Sequence, residues 1–415
     1  MKIKAFVCYF LLLGCLSSAA ACGGDDEGAP VPPPPAPPED AGSGNMRVKT
    51  RGENLYIAAK MDGERDIVYW FKRCMFNELY TFYRVGIVRN TASEPIRDPS
   101  REPEIELNLA FSDNIGPFAV SGYGWCGANH SYKEGQKVRT AYNERFSVRA
   151  NDRPVTGDVT LLADSVTVDV VNVILDPSRP LEDGELRDPL CRETVHYRIE
   201  GRNIEVSASH LFCNTAPVTI ETYYGMQSMF ANETQTFGAY TDWTVQSGVS
   251  QFLKGDYPEF RRFVERNASA YQSSFLLPGG LGDHGMLGDG DIVFIGNSSA
   301  KSYHKLISRK RFENGDRIAW RGVYTWFAEP LADDAGLFCY EGAVAGRRAL
   351  FLDVRVACSR MLELPSGLDA RRFDLLDANG DLRVEASGKS ALRLSAGGPG
   401  GCVLLFGGED GAEGE

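Results

Sequence analysis

The residues best suited to chemistry lie in one short stretch, Gly122-Tyr123-Gly124-Trp125-Cys126-Gly127-Ala128-Asn129-His130-Ser131-Tyr132. Closely spaced glycines beside aromatics mark a tight loop that presents polar groups, as sites on β scaffolds do. His130 is a base whose ordinary pKa lies near neutrality. Asn129 offers an amide that can neutralise a charge, and Tyr132 a phenol that can give up a proton. Removing a proton next to a carboxylate calls for that set: a charge quencher, a base, and an acid for the departing oxygen. Tyr123 and Trp125 add flat faces for a sugar ring, and Arg139 is a further charge clamp. The alternative is a turn whose Asn and His only hydrogen-bond the loop's own backbone.

A second stretch, Thr222-Tyr-Tyr-Gly-Met-Gln-Ser-Met-Phe230, ends a strand pattern with two tyrosines and a glutamine. Tyr223 is a second candidate for the acid, while Tyr224 and Gln227 suit ring stacking and hydroxyl reading in a glycan cleft. Met226, Met229 and Phe230 read as packing. Of five histidines, His210 sits at a strand end, where it either joins His130 in a cleft or is a satisfied surface residue. The string Asn129-His130-Ser131-Tyr132 resembles the N-H-S-Y element of some alginate lyases. In that family the Asn helps neutralise the uronate carboxylate and the His removes the neighbouring proton, so the resemblance implies β-elimination on a uronate polymer. It sits there in a helical toroid, whereas here the surroundings read as strand and loop.

Other acidic constellations are weaker. The loop around Asp283, His284, Asp289 and Asp291 offers oxygen ligands of the kind calcium takes, as does Asp377-Ala-Asn-Gly-Asp381. Both lack the terminal Glu of a calcium loop, and a solvated turn is the reading preferred for each, so no metal ligand is assigned. A glycoside hydrolase needs two facing carboxylates; Asp113, Glu221 and Asp242 are candidates by proximity to aromatics alone. No serine-hydrolase elbow, Walker loop, dinucleotide fingerprint or H-E-x-x-H motif occurs.

The elements that must carry these residues begin with an export signal. Residues 1–21 pair Lys2 and Lys4 with an apolar run from Ala5 to Leu16, too short to span a bilayer. They end in Ala19-Ala20-Ala21-Cys22, which resembles the lipobox of bacterial lipoproteins, with Ala19 in place of the usual Leu; a rival cleavage lies before Cys15. The resemblance implies lipidation of Cys22, and Gly23 beside it implies the outer membrane. Residues 22–45 form a proline-rich tether that favours extended geometry. The chain carries a formal charge of −12, which makes nucleic acid a poor partner but leaves room for a cleft lined by local Arg and Lys. Seven cysteines lie beyond the anchor, an odd number. A three-residue loop Gly201-Arg202-Asn203 would set Cys191 opposite Cys213, and a disulfide between them is expected.

From Met46 roughly 360 residues remain. Period-two alternation recurs along them: Val195, Tyr197 and Ile199 share a face, then Ile204, Val206 and Ala208, then Val218, Ile220, Thr222 and Tyr224. The one helix expected spans Asp256 to Arg266, with Phe260, Phe263 and Val264 on a face. The fold class is all-β: a large antiparallel two-sheet domain over 46–360, a small β-module over 361–406, and an acidic tail over 407–415. This texture resembles the supersandwich of galactose-mutarotase-like and polysaccharide-lyase proteins. The functions that follow are a polysaccharide lyase on a uronate glycan, a non-catalytic glycan-binding lipoprotein, or a glycoside hydrolase. The partner in each is a polysaccharide, and the membrane is met only through the lipid.

Overall fold

The computed structural model describes residues 43–108, 115–230, 235–238, 250–253, 261–283, 291–295 and 301–407. The signal, Cys22, the tether up to residue 42, Asp113, Asp242, His284, Asp289 and the tail from residue 408 lie outside the described residues. Within them the chain is all β, with one 3-10 turn at Gly280–Asp283. No described helix is long and apolar enough to cross a membrane.

Two layers make the main body. One is a nine-stranded antiparallel sheet whose central strands are Val166–Leu175, Pro189–Glu200, Asn203–Phe212 and Arg317–Phe327. The other consists of two six-stranded sheets, one built on Arg65–Cys74 and Leu79–Arg89, the other on Val218–Met229 and Lys301–Phe312. A bridge between Asn108 and Phe230 joins their edges. The alternation read from sequence is what closes the sandwich: Val195, Tyr197, Ile199, Ile204, Val206 and Ala208 all face the common core. Phe71 and Phe82 meet Tyr197 edge-on across the layers, at centroid distances of 5.4 and 6.0 Å.

A third layer covers part of the outer face of the nine-stranded sheet. Phe327, Tyr340 and Phe351 stack at 4.5 and 4.7 Å, and the buried ion pair of Arg262 with Asp353 ties the same layers together. The sheet that ends in Gly400–Phe406 already begins at Ala332–Asp333, ahead of residue 361, because Leu337–Val344 and Arg347–Val354 pair into it.

Two expectations are corrected. The segment Arg262–Arg266 is a strand paired with Tyr271–Leu276, and no helix ends there. Both of its faces are covered, Phe263 and Val264 alike being buried, and a strand buried on both sides mimics a helical stripe. The hairpin at Gly201 turns over two residues, with Glu200 opposite Asn203 and Gly201 at φ +54°. Cys191 therefore faces Phe212, and Cys213 donates its N–H to the Leu190 carbonyl at 3.0 Å. A slip of one residue turns a side chain to the other face, so Cys191 is buried and Cys213 half-buried on opposite sides. All seven cysteines of the body are free thiols.

Candidate functional site

The Gly122–Tyr132 loop is shaped by backbone turns. Gly122, Gly124 and Gly127 take positive φ, and Ala128 does so at 45°. Trp125 lies on the short strand Gly124–Cys126, which pairs with Phe118–Val120 and through it with Val218–Met229. Adjacent residues of that long strand face opposite ways. Tyr223 joins the inner core, whereas Tyr224 packs on the other side against Trp125 at 5.7 Å and Tyr303 at 4.0 Å; only 2% exposed, it is corrected from a ligand contact to a packing residue that those rings cover. Gly116 makes this packing possible, since a Cβ there would sit 1.6 Å from the Tyr224 carbonyl oxygen.

Outward of the sheet, the rings form a connected cluster. The His130 imidazole stacks on Trp125 at 5.3 Å with an interplanar angle of 23°. The Lys301 ammonium stands 5.7 Å over Tyr224 and 5.6 Å over Tyr303, a favourable placement for a cation on aromatic faces. Burial, and after it the nearby Lys301 charge, hold the His130 pKa down to about 4. The ring is therefore neutral at neutral pH, ready to accept a proton but weakly basic. Asn129 is half-buried beside it.

Asn77 fixes the loop from the far side. It is fully buried in the turn between Arg65–Cys74 and Leu79–Arg89, where Met75 and Glu78 take φ of 56° and 53°. Its amide donates to the Ala128 and His130 carbonyls, each at 2.9 Å, and its oxygen accepts the Thr140 N–H at 3.1 Å. The Thr140 hydroxyl also donates to the His130 carbonyl. Nothing in the sequence around Asn77 announces this role, because it depends on a contact 53 residues away.

The structure sorts the remaining candidates. Tyr223 is sealed in the core, its phenol oxygen accepting the Trp320 indole N–H at 2.7 Å. His210 is neither a cleft nor a surface residue: it is buried, bonded to Glu193 at 2.9 Å and set edge-on to Phe118 and Tyr223. Gln227 is also buried, with its backbone carbonyl accepting the Tyr324 hydroxyl at 2.9 Å. These three are corrected from site residues to interior ones, because the strand faces that carry them close on the opposite sheet. Tyr123 and Tyr132 are exposed, as expected of ligand contacts, at 52% and 62%. Arg139 pairs with Glu78 at 2.5 Å. Among the described residues the large exposed aromatics are Phe76, Tyr123, Tyr132 and Tyr142, and all belong to this loop or to segments bonded to it.

Carboxylates are employed elsewhere. Glu221 lies 3.6 Å from Arg309, Asp283 accepts the Gly279 N–H at 2.8 Å, and Asp381 accepts the Gly397 N–H. Among the described residues no three His, Cys, Asp or Glu side chains converge as a metal would need. Glu265, which sequence reading did not single out, is fully buried and accepts the Ser302 hydroxyl at 2.5 Å. Burial pushes its pKa up to about 7.

No family model matches the chain, and no curated protein does. Among solved structures, a GH36 α-galactosidase from Geobacillus stearothermophilus aligns over 68% of this chain at 10% identity with a TM-score of 0.38. The match spans 41% of that enzyme. The Slr1438 protein from Synechocystis aligns over 68% of this chain and 98% of its own, at 12% identity and a TM-score of 0.30. A chondroitin AC lyase from Streptomyces coelicolor aligns over 85% of this chain and 48% of its own, at 10% identity and a TM-score of 0.21. Likenesses this distant say nothing of activity.

Proposed function

We propose that this chain is an exported lipoprotein, anchored through Cys22 to the bacterial envelope, whose body binds an acidic polysaccharide on the outward cluster of Trp125, His130 and Tyr303, with the buried Tyr224 packed against Trp125 and Tyr303. The observation that carries the reading is the cluster's make-up: connected ring faces, an amide and imidazole on a pinned loop, and a lysine over two of the rings. Ring faces bind the apolar side of a sugar, and Lys301 supplies the charge that would favour a uronate over a neutral residue. Electrophoresis of the full chain through gels containing alginate, pectate or chondroitin tests it. Retardation that disappears in Trp125→Ala supports the reading; equal mobility with and without every acidic glycan overturns it.

A second reading is favoured by one observation, the His130 ring held neutral beside Asn129. In β-elimination His130 would take the proton next to the uronate carboxylate, Asn129 and Lys301 would offset the carboxylate charge, and Tyr132 would protonate the leaving oxygen. The loss of Tyr223 and His210 to the core leaves Tyr132 as the phenol for that step. Unsaturated products absorb in the ultraviolet. Their release by the wild type and not by His130→Ala marks a lyase, whereas retained binding without product marks a binding protein.

A further inference from the structure

Next to the pinned loop lies a cavity of about 570 Å³, with Phe76, Lys137, Arg139, Tyr142 and Arg187 in its wall. We propose that it is a second subsite for the same acidic polysaccharide, an inference that rests on the reading of the Trp125 cluster above. Phe76 and Tyr142 are 38% and 40% exposed, so both rings are open to a ligand in the cavity. The cations stand ready beside them: the Lys137 ammonium lies 4.5 Å over the Phe76 ring and the Arg139 guanidinium 5.9 Å from it.

Carboxylates hold the two guanidinium groups in place, Glu78 on Arg139 at 2.5 Å and Asp183 on Arg187 at 3.0 Å. Glu185 is the carboxylate of the wall. Glu182 also faces Arg187, at 3.6 Å, so both guanidinium charges are offset and Lys137 is the wall's cation with no carboxylate partner among the described residues. A uronate residue has both properties the cavity addresses, an apolar ring face for Phe76 and Tyr142 and a carboxylate for the Lys137 ammonium beside them.

The cavity is joined to the first cluster by backbone. Lys137 is opposite Tyr132 in a two-stranded ribbon, and Val138 donates its N–H to the Ser131 carbonyl at 3.0 Å. Asn77, next to Phe76, bonds the His130 carbonyl. One pinned unit thus presents ring faces in both places, so a polymer that fills the first site has its second contact made at high effective concentration.

Titration calorimetry of the full chain tests this with a galacturonate disaccharide, a long oligogalacturonate, and the same pair from alginate. The double variant Phe76→Ala/Tyr142→Ala, and separately Lys137→Gln/Arg187→Gln, should leave disaccharide affinity unchanged and weaken the long oligomer by roughly tenfold. Trp125→Ala should weaken both. If both double variants hold the long oligomer as wild type does while Trp125→Ala does not, the second subsite is overturned and the first reading stands. If the wild type binds none of these uronates, both fall. If the double variants alone lose binding, the cavity is a glycan site and the Trp125 cluster is not. Because all four side chains are exposed, unchanged circular dichroism is expected of both double variants.

Discussion

Two imidazoles lie on opposite sides of the strand Val218–Met229, and their surroundings differ in the one respect that decides their use. His210, on the inner side, is buried against Phe118 and Tyr223 with the Glu193 carboxylate at 2.9 Å. His130, on the outer side, also lies against an aromatic ring, that of Trp125, but the charge that acts on it is the Lys301 ammonium. Aromatic packing alone therefore does not mark a site. A carboxylate partner inside a closed layer locks an imidazole into the structure, whereas partial burial, and after it a neighbouring cation, keeps His130 neutral.

The sharpest way to break this contrast is to remove a ring from each side. On the inner side Trp320→Ala should cost about 3–5 kcal/mol in urea denaturation, through the cavity it leaves and the orphaned Tyr223 hydroxyl. An effect no larger than that of Trp125→Ala would mean the inner side is not the packed one. Next in size, Asn77→Ala should lose about 2–3 kcal/mol, since it strands the Ala128 carbonyl and the Thr140 N–H and leaves the His130 carbonyl with the Thr140 hydroxyl alone. Amide exchange over residues 127–131 should quicken in that variant, and unchanged exchange would show that Thr140 suffices to hold the loop.

The two sides also predict opposite responses to pH. Glu265, buried between the sheets, keeps its proton up to about pH 7, well above its ordinary value. Between those values the folded chain binds more protons than the unfolded one, so stability falls as pH rises through about 7. Glu265→Gln should flatten the melting temperature across that range. His130 has the reverse sign: its folded pKa, about 4, lies below the ordinary value, so stability is lost as pH falls from about 6.5 toward 4. His130→Gln should remove that acid-side loss.

Smaller still, Trp125→Ala should cost on the order of 1–2 kcal/mol while abolishing glycan retention. The finest test concerns Lys301. Replacing it with Met removes a repelling cation, and the His130 titration followed by nuclear magnetic resonance should move upward. A midpoint that stays put would mean that burial alone sets it.

Strand existence was legible because each half-buried strand repeats every second residue, as in Val195-His-Tyr-Arg-Ile199. The strand Arg262–Arg266 was not, since burial on both faces erases that period. The site was half legible. Glycines beside Trp125 and His130 signal a presenting loop, and the structure does set those two rings together. Which tyrosine faces them, Tyr223 or Tyr224, depends on pleat phase, and a phase error of one residue exchanges core for surface. The same error undid the expected pairing of Cys191 with Cys213. Lys301, Tyr303 and Asn77 were invisible because each reaches the loop through tertiary pairing far along the chain.

The free thiols have a consequence for how the molecule comes to exist. Burial raises the pKa of the Cys126 and Cys191 thiols well above the ordinary value, and that of Cys402 up to about 12. Only the thiolate attacks a disulfide or an oxidant, so the finished fold is chemically quiet at these positions. An unfinished chain has no such shelter. Order of events then decides the outcome: layers that close before an oxidant arrives preserve the buried sulfhydryls, and a chain caught open can be trapped by mismatched crosslinks.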